Sequence, residues 1–168
     1  MKVAIVGKGH GCADAPLEGE TWGICQCLRR RVFSRIIDMN DYSLWGETEA
    51  KADKISRRLA AKNGVPYTDL TNYPLQEVIN YFGVDYFTNT VDFALALAIY
   101  EGFTEIDLYG VNMVFGSEYE FEKAGVEYWI GQAMGRGINV HVFGDTSSIL
   151  KTRDGLLYGY GTPQKPKQ

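Results

Sequence analysis

The sequence predicts a single-domain, three-layer α/β fold with a mainly parallel sheet. Three observations carry that prediction. The candidate strands are continuous apolar runs rather than alternating ones, as in strands buried on both faces. Helical segments with glycine stops alternate with those runs. A chain of 168 residues suits one hydrophobic core. The domain is expected over residues 1–160, followed by a disordered polar tail over 161–168.

Each element has its own signal. Lys2–Val6 is a short apolar run ended by Gly7-Lys8-Gly9-His10-Gly11, the form of a buried first strand entering a loop. TWGICQC (21–27) and VFSRIIDM (32–39) read as the next two strands. Glu47–Lys62 has Ala50, Ile55, Leu59 and Ala60 at helical spacing, with Gly64 as its stop and Val65-Pro66-Tyr67 as a short strand after it. Pro74 opens a second helix, since proline suits a first turn. Thr90–Tyr100 is the third helix and Glu105–Tyr109 the strand after it. Tyr119–Arg136 reads as a long helix, interrupted near Gly125 and Gly131, and Ile138–Phe143 as the last strand. Asp145, Thr146 and Ser147 read as an N-cap box before Ile149 and Leu150.

The chemistry concentrates in the loops after strands. In TNTVDFALALAIYEGFTEIDLYGVN (88–112), Asn89, Thr90 and Asp92 open an apolar helix, where free N–H groups and the helix dipole favour an anion. Asn112 follows the next strand directly, at the carboxyl edge where open α/β sheets bind ligands. Asp38, Asn40 and Asp41 end the third strand at the same edge, fit either to hold a sugar hydroxyl or to cap a turn.

Gly7, Gly9 and Gly11 let the backbone turn sharply and approach a ligand without Cβ interference. Their G-x-G-x-G spacing lacks the third position of the dinucleotide fingerprint, and Pro16 and Gly19 break the helix that should follow. No glycine-lysine-serine/threonine ending makes a phosphate-binding Walker loop. No cofactor is therefore expected. His10 and His141 are the only histidines, so an imidazole general base must be one of them. His10 sits in the glycine loop and His141 between Val140 and Val142 in a strand. The three cysteines, Cys12, Cys25 and Cys27, are an odd and sparse set, read as small buried residues in a reducing compartment. Their spacing is too tight for a zinc knuckle, and no metal site is expected.

A net charge of −4 gives no general attraction to nucleic acid, and Arg29-Arg30-Arg31 is the only basic run. No apolar stretch approaches bilayer length and no signal peptide opens the chain, so a cytoplasmic protein without membrane partners is expected. The sequence leaves a homo-oligomer open.

Several of these motifs resemble a known group. VAIVGKGHG is similar to the glycine-polar-glycine opening of bacterial family 42 sialyltransferases and of related Rossmann-like proteins, the pterin pyrophosphokinase-like group. TNTVDFALALAIYEGFTEIDLYGVNM resembles their polar cluster, alanine-rich helix and leucine-tyrosine-glycine strand. YWIG (128–131) followed by INVHVFGDTSSIL resembles their closing helix and strand. The chain is also similar to small phage-encoded proteins, which would place it in a host cytoplasm.

The resemblance implies a Rossmann-like sheet whose carboxyl edge holds a nucleotide or nucleotide-sugar. Gly7, Lys8, Gly9 and Gly11 would approach phosphate or ribose. Asn89 and Thr90 would contact phosphate or the base, with Asn112 beside them; Asn40, from the strand-end reading, and Tyr128 are further ligand-binding candidates. His10 and Asp38 are the acid/base candidates. The family's histidine precedes its aromatic-isoleucine-glycine motif, and Tyr128 stands there in this chain. Val91 replaces a family glycine, and the chain lacks the length of the family's acceptor lid. Three readings stay open: a glycosyltransferase-like or nucleotide-processing enzyme, a non-catalytic phage accessory protein that sequesters or senses a nucleotide, and an interaction protein with a vestigial site.

Overall fold

A computed structural model describes residues 1–29, 31–44, 46–114, 119–152, 156–157 and 162–163. Its sheet has six parallel strands: β1 (Lys2–Val6), β2 (Thr21–Ile24), β3 (Arg35–Ile37), β4 (Tyr67–Thr68), β5 (Glu105–Tyr109) and β6 (Asn139–Val142). Their order is β4-β3-β2-β1-β5-β6. The chain builds outward from β1 through β4, then crosses to the other side of β1 for β5 and β6. That reversal sets the carboxyl ends of β1 and β5 side by side at a topological switch point, the kind of place where such sheets take ligands.

Among the described residues four α-helices cover the sheet: α1 (Glu47–Asn63), α2 (Leu75–Phe82), α3 (Thr90–Tyr100) and α4 (Tyr119–Gly135). Strand alternation divides the core into two clusters. Val3, Ile5, Ile106 and Leu108 point to the layer of α2, α3 and α4, whereas Ala4, Val6 and Ile36 point to Ala60 of α1. α3 is apolar on all sides and buried from Thr90 to Ile99 except at Phe93, because the sheet lies on one side and α4 on the other. Among the described residues no helix is long and apolar enough to cross a membrane.

The structure departs from the sequence expectation at several places, each with a local cause. The strand expected through Cys27 stops at Ile24, because Cys25 takes a left-handed φ of 56° that the pleat cannot continue. A 3-10 segment, Cys25–Arg29, follows. α4 runs unbroken through Gly125, whose missing side chain admits the start of α3. A Cβ there would lie 2.3 Å from both Asp92 Oδ2 and Thr88 Oγ1. Among the described residues no helix follows Asp145–Ser147. The hydroxyls of Ser147 and Ser148 instead donate to carbonyls of residues 111–113 and pin the β6 loop to the β5 loop.

At the C-terminal end, β7 (Leu156–Leu157) and β8 (Thr162–Pro163) pair antiparallel. Residues 164–168 lie outside the described residues, as does Arg30 of the basic run. Arg31 of that run is packed: its guanidinium donates to the carbonyls of Ala15 and Pro16 and lies over the Phe33 ring.

Candidate functional site

The glycine loop after β1 lies directly on the loop after β5. Gly7 N–H donates to the Tyr109 carbonyl at 2.8 Å and Gly9 N–H to that of Gly110 at 2.9 Å. A Cβ on Gly9 would stand 1.8 Å from Asn112 Oδ1, and one on Gly7 2.4 Å from the Gly110 carbonyl oxygen. Glycine is thus required at 7 and 9 by the approach of the chain's own backbone. Gly11 has a left-handed φ of 85° and begins the turn that follows. Asn112 Nδ2 donates to Thr146 Oγ1 at 2.6 Å, while its Oδ1 is buried without a hydrogen-bond partner among the described residues. Lys8 and His10 project from this loop as exposed side chains.

Two strands away, the end of β3 delivers Asp38, fully removed from solvent. Its carboxylate accepts from Asn40 Nδ2 at 2.7 Å, Tyr42 hydroxyl at 2.9 Å and Tyr67 hydroxyl at 2.9 Å. Burial, and then the Asp38 charge, push both phenols well above their ordinary range, so they remain neutral donors. Tyr67 also lies 3.2 Å from Asp53 Oδ1, so one phenolic proton serves two carboxylates. Arg57 completes the row: its Nε contacts both Asp53 oxygens and its Nη1 reaches Asp69 at 2.5 Å. Asn40, Tyr42, Asp53, Arg57 and Asp69 line an open cleft of about 420 Å³.

Cys25 joins this row to α3. Its Sγ accepts from Asn40 Nδ2 at 3.2 Å and donates to Thr90 Oγ1 at 3.8 Å. Burial first, then the charge of Asp38, pushes the thiol up to about 12, with Lys8 pulling the other way. Cys25 is therefore a protonated donor at neutral pH, and Lys8 stands near enough for its charge to be felt there. In the sequence Cys25 reads as a small buried residue, not as part of a site. Its position where an apolar run meets a polar turn was the one available sign.

The first turn of α3 satisfies itself. Asn89 is the N-cap: its Oδ1 accepts from the backbone of Val91 at 2.7 Å and of Asp92 at 3.3 Å. Its Nδ2 turns to Thr88, Asp92 and the Glu122 carbonyl, clamping α3 to α4. Asp92 is buried, and that burial pushes its carboxyl up to about 6 despite donors from Thr88 and Asn89. Tyr128 lies mid-way along α4, its ring edge-on to Tyr86 and its hydroxyl accepting from Gln132. The structure thus brings Asp38, Asn40, Cys25 and Thr90 together, with Lys8 nearby, and separately joins Gly9, Asn112 and Thr146. Asn89 is spent on the helix cap, and the contacts described for Tyr128 lie within the aromatic packing around α4.

No protein-family model and no curated protein matches the sequence. Among solved structures, a probable thiamine pyrophosphokinase from Staphylococcus saprophyticus subsp. saprophyticus is similar, with 12% identity and a TM-score of 0.46. The match covers 86% of this chain and 66% of that one, so this chain spans just under two thirds of that protein's length. The sialyltransferase CstII from Campylobacter jejuni, in complex with the substrate analogue CMP-3FNeuAc, matches at 12% identity and a TM-score of 0.43, over 88% of this chain and 82% of that one. The same enzyme with cytidine-5'-monophosphate matches at 14% identity and 0.41, over 88% and 81%.

Proposed function

We propose that the chain binds a nucleotide or nucleotide-sugar along the carboxyl rim of the sheet. The observation that carries this reading is the reversal of strand order between β1 and β5. Lys8, Cys25 and Asp38 follow three adjacent strands, and Asn40 and Thr90 meet Cys25, which supports a site along that rim. Lys8 supplies the phosphate end, and Asn40, held by the buried Asp38, supplies the hydroxyl-binding end. In the enzymatic version of the reading Asp38 and His10 are the acid/base groups of a glycosyltransferase-like or nucleotide-processing reaction. Two observations favour the non-catalytic version, a protein that holds a nucleotide unchanged. Asp38 is already held by Asn40 and two neutral phenols, and a tyrosine bonded to Gln132 stands where the resembled family has its histidine.

Thermal unfolding in CMP, UMP, AMP, GMP, the matching nucleosides and inorganic phosphate tests the reading. A ligand bound only by the folded chain at about a hundred times its Kd stabilises by about 2.7 kcal/mol. For a domain of this size that raises Tm by several degrees, on the order of 5–10 °C. Lys8→Ala and Asn40→Ala should each reduce that rise. Absence of any shift with all four nucleotides, or unchanged shifts in both variants, defeats it. Chromatography of the recovered nucleotide then separates binder from enzyme.

A further inference from the structure

On the face of the sheet that carries α1, but displaced toward its β6 edge, four ionisable side chains meet. Glu105 and Asp107 are two apart on β5 and therefore share a face. His141 is the register partner of Asp107 on β6, and Lys2 that of Glu105 on β1. His141 Nδ1 stands 3.0 Å from Asp107 Oδ1 and 3.8 Å from Glu105 Oε1. All three ligand-type atoms lie within 4.8 Å of one another. Lys2 Nζ sits 2.8 Å from Glu105 Oε1 and 2.8 Å from the other Asp107 oxygen.

We infer that Glu105, Asp107 and His141 form a binding site for a divalent transition-metal ion of the zinc class, in competition with the Lys2 ammonium. Four features of the site carry this. Ligand atoms around tetrahedral zinc at bonds of about 2.0–2.1 Å are spaced by about 3.3 Å, and the two separations from Nδ1 bracket that value. One imidazole with two carboxylates is a donor set that selects zinc, cobalt or nickel over magnesium or calcium. Asp107 is a buried carboxylate on a rigid central strand, whereas His141 is half open to solvent, giving a fixed ligand and an entry side. Finally, Lys2 shows that this point in the fold already draws a cation. Only one of its two contacts, that to Glu105 Oε1, uses an atom the ion would take. The ammonium is on an exposed, flexible stem that can swing away while Asp107 keeps its place.

Titration of the full chain with Co2+, followed by its visible d–d absorption, and with Zn2+ by calorimetry tests the inference. One ion per chain is expected, with tetrahedral-type cobalt absorption. His141→Ala should weaken binding by at least about tenfold, since it removes the only nitrogen ligand. Lys2→Met, which removes the competing charge, should tighten it by about tenfold. Lys2→Met leaves two carboxylates without their cation, so its Tm should fall and then recover when Zn2+ is added. Failure of both the wild type and Lys2→Met to bind at a ratio of one overturns the inference and leaves a plain ion-pair cluster. So does a thiolate-to-cobalt charge-transfer band, which would put the ion on cysteine, or binding unchanged in His141→Ala.

Discussion

Asp92→Asn isolates the electrostatic cost of joining α3 to α4. The carboxyl is wholly buried and accepts from Thr88 N–H at 2.7 Å, Thr88 hydroxyl at 2.8 Å and Asn89 Nδ2 at 3.2 Å. Those donors and the helix dipole favour the charged form, yet burial outweighs them and lifts the carboxyl from 3.8 to about 6. A group whose folded pKa is raised contributes its stability in full below the unfolded value and loses it as pH rises through the folded value. That difference amounts to at most about 3 kcal/mol, lost mainly between about pH 4 and about pH 7. An asparagine keeps an acceptor for the two Thr88 donors and does not ionise. Urea unfolding of both proteins across that range should therefore show Asp92→Asn gaining on the wild type by about 2–3 kcal/mol as pH rises. Parallel curves for the two proteins would refute the reasoning, because they would mean the charge is fully compensated where it sits.

Other substitutions probe the rim. Gly9→Ala should destabilise by about 2–3 kcal/mol, because its Cβ would meet both Asn112 Oδ1 and the Gly110 carbonyl. Adding Asn112→Ala should restore only part of the loss, since the backbone obstruction stays, and denaturant melts of the single and double variants check this. Tyr67→Phe leaves Asp38 and Asp53 short of a shared donor, at a cost of about 1–3 kcal/mol in the same assay. Timed alkylation of the native protein at neutral pH should label Cys12 first. Cys25 and Cys27, both buried, should label at the rate of unfolding, and rapid native labelling of Cys25 contradicts a thiol held at about 12.

Much of the frame was legible in the sequence because it depends on local signals. β1, β5 and α3 begin and end where the sequence places them: Gly7 stops the first, the tyrosine-glycine step stops the second, and Asn89 caps the third. Length and burial were less legible where tertiary contact overrides propensity. Gly125 reads as a helix interruption, yet the helix continues because its neighbour needs the space. The chemistry was harder still. That Asp38 ends a strand at the ligand edge follows from the apolar run before it. Its enclosure by Tyr42 and Tyr67 depends on β4 pairing with β3, across twenty-nine residues in the case of Tyr67. The Lys2, Glu105, Asp107 and His141 cluster depends in the same way on β1 and β6 flanking β5, and no spacing within the chain announces it.

The charges along the rim also impose a direction on the proposed ligand. Asp38 is surrounded by neutral donors rather than by cations, so its negative charge stays uncompensated within its own contacts. A phosphate placed over β3 would meet that charge and those of Asp41, Asp53 and Asp69, with Arg57 already engaged by two of them. Beyond the end of β1 stands instead the exposed ammonium of Lys8. In the proposed function a nucleotide therefore lies with phosphate toward β1 and its hydroxyl-bearing sugar toward β3. On this reading, removing the 2'-hydroxyl of the ribose weakens binding to the wild type by about 1 kcal/mol, roughly fivefold, the scale of one lost hydrogen bond. In Asn40→Ala the two nucleotides should bind alike. Calorimetry with ribo- and deoxyribonucleotide against both proteins measures the coupling directly. A 2'-deoxy penalty of the same size in both proteins breaks the link between the hydroxyl and the β3 end, and with it the orientation.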